Sequence, residues 1–131
     1  MNITVFLLLR LAVATSMLGH GLVRIPKIKV FSQWMIGAFE KSMLPKALIL
    51  PFSYGLPVAE LIIGLLLLTG LGTRMVSVAG ATVMLMLIFG SAMIENWEAI
   101  PSQMIHLLFF AAIIQFIQYN GWALDNLLTR N

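Results

Sequence analysis

The chain has 131 residues, of which 60% are hydrophobic and 10% charged, against about 25% charged residues in ordinary soluble domains. With a mean hydropathy of +0.98 it carries more apolar surface than a soluble domain of this length can hide behind a polar exterior, so the composition defines a membrane protein. The formal charge of +3 comes from only eight Lys and Arg; beside apolar spans these orient helices and meet anionic headgroups, which makes the bilayer the partner and excludes nucleic acid.

The first span runs over about residues 3–22 and is interrupted by Arg10 and His20. It superficially resembles a secretory signal, but it has no basic n-region and holds Arg10 inside its apolar run, so it is expected to be a retained helix. Arg10 lies about seven residues in, or roughly 10 Å below the starting face at 1.5 Å per residue. Two readings of it stand: snorkelling back to that face, or pairing inside the bundle.

The only long connection follows, with Arg24, Lys27, Lys29, Lys41 and Lys46 against the single acid Glu40. Phe31, Trp34, Met35, Ala38 and Phe39 recur at helical spacing, which predicts a short amphipathic helix lying at the interface with its aromatics in the lipid boundary. The second span, about residues 52–71, is entered through Pro51 and Pro57, carries Glu60, and is left at Gly70, Gly72 and Arg74. Gly72 suits a left-handed residue at a helix end, and a third span over about residues 75–94 then begins almost at once. That span holds Ser77, Gly80, Ala81, Thr82, Gly90 and Ser91, small residues that let helix backbones approach closely.

The short acidic link from Glu95 to Ser102 contains Trp97, an interface residue by type, and Pro101 suits the first turn of a fourth span over about residues 100–119. Gln103, His106, Gln115 and Gln118 lie on it, and the tail turns at Asn120 and Gly121. The fold class is therefore an all-α, polytopic membrane four-helix bundle, a single domain over residues 1–131, with an amphipathic interfacial helix between the first two spans. The long loop carries five basic residues, whereas Arg74 and Arg130 lie on the opposite side, so the positive-inside rule puts the long loop in the cytoplasm.

Antiparallel spans bring residues late in the odd helices level with residues early in the even ones. His20, Glu60, His106, Gln103 and Ser91 all fall in the half of the membrane nearer the long loop. Helical side chains lean toward their own N-terminus, so His20 and Glu60 lean together whereas Arg10 and Glu60 lean apart. The candidate site is a polar pocket of His20, Glu60 and His106 with Gln103 nearby, Arg10 or Arg24 completing the charge balance. An ionisable group at mid-depth that faced lipid would cost about 2.5 to 3.5 kcal/mol even on lenient scales, so such groups face the interior and pair. The same residues also fit a structural ion pair. No metal is assigned, because the two histidines and the carboxylate lack a spacing that fixes ligand geometry. With no cysteine in the chain, thiolate chemistry, iron–sulfur clusters and cysteine-ligated zinc are excluded.

Arg10, the pair His20-Gly21 with Arg24 and Lys27, the run PVAELIIGLLLLTGLGTR from Pro57 to Arg74, and NGWALDNLL from Asn120 to Leu128 together resemble the DoxX family of small four-helix membrane proteins. The resemblance implies a bacterial or archaeal inner membrane protein. Because the family name comes from a subunit associated with terminal quinol oxidase and thiosulfate:quinone oxidoreductase activity, it also implies a link to quinone. Two functions follow as expectations: a subunit that binds a quinone or another lipid-soluble small molecule through His20, Glu60 and His106, or a scaffold that assembles another membrane protein or its own copies. No cofactor motif is encoded, so in the first case another subunit would supply electrons.

Overall fold

In the computed structural model of the chain, which describes residues 1–129, the Asn2 side-chain oxygen accepts the Val5 N–H at 2.8 Å and caps α1, Ile3–Arg24. The helix does not stop where the apolar run ends. Pro26 sits in the first positions of a 3₁₀ turn, Ile25–Lys27, where its missing N–H costs little, and α2, Ile28–Ala38, continues from it. Ser32 and Met35 of α2 are buried, and Phe31, Ile36 and Phe39 pack against the core, while Trp34 stays exposed. The apolar residues expected in the lipid boundary are thus divided. Most turn toward the bundle, because the start of α3 lies alongside to receive them.

Helix α3 covers Lys46–Thr69, beginning six residues before the expected 52–71 span, and it contains both Pro51 and Pro57. Each proline withholds one in-helix N–H, from Ala47 O and Ser53 O respectively. In the same stretch the Ser53 hydroxyl donates to Leu50 O at 2.6 Å, and the Ser32 hydroxyl of α2 donates to Ser53 Oγ at 2.7 Å, which ties α2 to α3. Gly70 and Gly72, both with positive φ, close α3 and open α4, Thr73–Met93. After a turn through Glu95, which also has positive φ, the 3₁₀ segment Trp97–Ala99 leads into α5, Ile100–Gln115, with Pro101 in its first turn as expected. The fourth helix ends before the expected 119, and Gln118 falls in a 3₁₀ turn. A short α6, Leu124–Thr129, follows. Arg130, used in the orientation argument, lies outside the described residues.

Helix α1 packs most extensively on α3, and α4 on α5, with α3 on α4 and α1 on α5 closing the four-helix bundle. The closest seam is made by glycine. A Cβ on Gly21 would lie 2.7 Å from Leu61 N, and one on Gly64 would lie 2.5 Å from Leu18 N, so only hydrogen fits at either crossing. Gly80 likewise leaves room for the buried Phe110 ring. Phe6, Met17, Leu67, Phe110 and Ile113 fill the interior, while Leu8, Ile62, Leu65, Leu85 and Leu108 point outward. Among the described residues four helices are long and apolar enough to cross a membrane. An apolar exterior of this kind is what lipid requires, and the chain is a multi-pass membrane protein in contact with the bilayer.

Candidate functional site

The Gly21 and Gly64 crossings hold α1 and α3 close enough for their polar side chains to meet one turn further along. Glu60, 2% exposed, receives Arg24 Nη1 on Oε1 at 2.6 Å, while the Arg24 side chain itself is 32% exposed. The other side of that guanidinium lies over the Phe31 ring, 4.8 Å from its centroid, a cation–π contact that fixes its direction. The carboxylate is therefore paired inside the bundle by the last residue of α1. Arg10, the other candidate for that role, is not its partner.

His20 and His106 come together at the α1–α5 side, ring centroids 6.2 Å apart and nearly perpendicular. Each stands four residues after a serine, and each places Nδ1 on that serine's backbone oxygen, His20 on Ser16 O at 2.6 Å and His106 on Ser102 O at 2.7 Å. A carbonyl only accepts, so both rings carry their proton on Nδ1 and keep Nε2 as the acceptor when neutral. The Ser16 hydroxyl donates to His106 Nε2 at 2.7 Å, so one serine holds both rings, by its backbone and by its side chain. Gln103 Nε2 donates to Ser91 Oγ at 3.0 Å, and Gln103 Oε1 is buried without a partner among the described residues.

These groups line one cavity of about 350 Å³. Arg24, Glu60, His20, His106 and Gln103 form its polar side; Met17, Phe31, Trp34, Phe52, Leu56 and Met84 form its apolar side. Small-molecule sites have this design, mostly apolar walls with a few convergent polar groups and volumes of about 300–1,000 Å³. Among the described residues no group of three or more histidines and acids is placed to hold a metal ion.

Arg10 occupies a second polar centre at the opposite end. It is 2% exposed, with Nη1 donating to Asn120 Oδ1 at 2.6 Å and Nη2 to Trp122 O at 2.7 Å. Asn120 Nδ2 passes the chain of bonds to Thr73 Oγ1 at 3.1 Å. Asp125 completes it from α6, its two oxygens accepting the N–H groups of Gly72 at 2.6 Å and Thr73 at 2.9 Å, the first donors of α4. Burial works to raise the Asp125 carboxyl, but the hydrogen bonds from Thr73 and Gly72, with Arg10 nearby, outweigh it and hold the group below its ordinary value. Of the five expected site residues, His20, Glu60, His106 and Gln103 share the cavity, and Arg10 is removed from it: its side chain leans toward the start of α1, where the C-terminal turn supplies acceptors.

Ser16, Phe31 and Trp34 were not among the expected site residues. The repeated spacing of Ser16 to His20 and Ser102 to His106 is the one sequence signal that pointed to the serines.

The fold and cavity define a polytopic four-helix membrane protein with a polar chamber inside an apolar bundle. Residues 5–92 match the DoxX family model, which takes in Arg10, His20, Arg24 and Glu60, and the chain belongs to the DoxX family. No curated protein and no solved structure matches the chain.

Proposed function

We propose that this DoxX protein binds a quinone, or a lipid-soluble ring compound of the same hydrogen-bonding chemistry, as a subunit of a membrane oxidoreductase system in a bacterial or archaeal inner membrane. The observation that carries the reading is the cavity itself, in which hydrogen-bonding groups face an apolar wall of methionine and aromatic side chains. A quinone carbonyl accepts hydrogen bonds, which the Arg24 guanidinium or a protonated His20 Nε2 can donate. The reduced ring bears hydroxyls, which donate, and the neutral His20 Nε2 in the same wall can accept. A ring of either oxidation state therefore finds a matching partner, while Met17 and Met84 adapt to its faces. The Glu60–Arg24 pair and the two histidines give protons a route within the cavity, and electrons come from another subunit.

Purification from native membranes followed by lipid extraction tests this directly. A co-purifying quinone, or quinone binding by the isolated protein, is the expected result; finding neither sinks the proposal. The alternative of a membrane scaffold is separated by Glu60→Gln. If that variant folds normally and loses membrane redox activity, the quinone reading holds, whereas lost partner recovery with no effect on any quinone favours a scaffold.

A further inference from the structure

A second groove, of about 370 Å³, lies outside the cavity between the start of α3 and the second half of α4. Leu48, Leu85 and Phe89 form its lips and are 55%, 57% and 56% exposed, so it opens sideways to the bilayer rather than to an aqueous face. Its one side-chain polar group is the Thr82 hydroxyl, which donates to Val78 O of its own helix at 2.9 Å. Its one side-chain donor is spent within the helix, and the rest of the lining is apolar, which suits a hydrocarbon.

The groove and the polar cavity are adjacent rooms. Phe39, Phe52, Met86 and Gly90 stand in the walls of both. The partition is thin at one place: Gly90 has no side chain, and a Cβ there would lie 3.2 Å from Phe39 Cζ, so the phenyl ring rests on bare helix backbone. Phe39 caps the end of α2, is followed by a turn, and packs its ring against the core between the two spaces. Over Gly90 the Phe39 ring is what stands between the two spaces.

From this continuity we infer that the ligand is a headed lipid, a polar ring carrying a linear alkyl or isoprenoid chain, whose ring sits in the polar cavity and whose chain leaves through the α3–α4 seam over Gly90 into the bilayer. The inference rests on the quinone reading of the cavity and adds the chain, its exit and its gate. Phe39 is the gate, and the bilayer is the route of entry. A head without a chain uses only the inner room.

The test uses the full chain in lipid nanodiscs at one fixed lipid-to-protein ratio. A tritiated chainless dimethoxy-methyl benzoquinone and its tritiated decyl derivative are each bound directly. Leu85→Trp and Leu48→Trp fill the groove from opposite lips without touching the inner cavity, and thermal midpoints check that each folds. Both are expected to weaken the decyl compound by about tenfold, the contribution of roughly two buried methylenes, and to leave the chainless one within about twofold. If the chainless compound binds and neither variant affects the decyl compound, the groove holds a bilayer acyl chain and the inference is overturned while the quinone reading stands. Failure of both compounds to bind removes the quinone reading and the inference with it.

Discussion

Arg24 Nη1 meets Glu60 Oε1 at 2.6 Å across the α1–α3 seam, and the pair is unequal: the acid is buried while the base is about one-third exposed. Removing the base therefore leaves the harder problem. Arg24→Gln strands a buried carboxylate and is expected to destabilise the protein by about 3 kcal/mol. Arg24→Gln combined with Glu60→Gln, which removes both charges, should recover most of that loss. Unfolding midpoints in detergent for the two singles and the double decide it, and simple addition of the single effects would mean that the pair contributes nothing as a pair.

Gly64→Ala places a methyl where 2.5 Å separates it from the Leu18 backbone nitrogen. Backbone cannot yield as a side chain can, so α1 and α3 must part, at a cost of about 1 to 3 kcal/mol. Gly19, whose Cβ meets nothing, is the control. Gly19→Ala is expected to leave the thermal midpoint unchanged or to raise it slightly, since alanine is the better helix former.

At the other end of the bundle, Asp125 caps α4 from a different helix, and Asp125→Asn should cost about 1 kcal/mol. Its carboxyl is held below the ordinary value of 3.8. A carboxyl depressed in the folded state binds its proton more weakly there than when unfolded. Its stabilisation is accordingly complete above the ordinary carboxylate value and disappears as pH falls through the lower folded value. Acid unfolding followed for the wild type and Asp125→Asn should show the two curves converging at the acid end. Parallel curves down to the lowest pH would remove the carboxylate from the account.

Glu95 takes a positive φ of 57° at the turn after α4, a conformation that costs an L-residue about 1 kcal/mol or more. Asn96 N–H reaches back to Ser91 O at 2.8 Å, a bond that requires this conformation at the residue between. Glu95→Gly keeps the bond and relieves the strain, so the thermal midpoint should rise. A fall would show that the Glu95 side chain contributes more than its backbone costs.

The sequence made four spans legible because an apolar run long enough for a bilayer has few other uses, and antiparallel depth was enough to bring His20, Glu60, His106 and Gln103 into one half of the bundle. It did not show where α1 ends. Hydropathy falls at Leu22, but the helix continues to Arg24, and that extra half turn carries the base to Glu60. It also missed the early start of α3, since Pro51 marked the entry of the second span, whereas the helix begins at Lys46 and runs on through it. Arg10 has its acceptor on Asn120, 110 residues away. No local pattern specifies a contact at that separation.

Trp34 lines the cavity and is 57% exposed, which makes it a natural reporter of a bound quinone, an efficient quencher of indole emission. The chain has three tryptophans, so replacing Trp97 and Trp122 by Phe leaves Trp34 alone to be measured in nanodiscs. Titration with the decyl benzoquinone should give saturable quenching, and His20→Ala with His106→Ala in the same background should abolish saturation at a temperature where its unfolding curve shows the bundle still folded. Quenching that rises linearly with quinone and is identical in the two proteins would contradict a quinone site in this cavity.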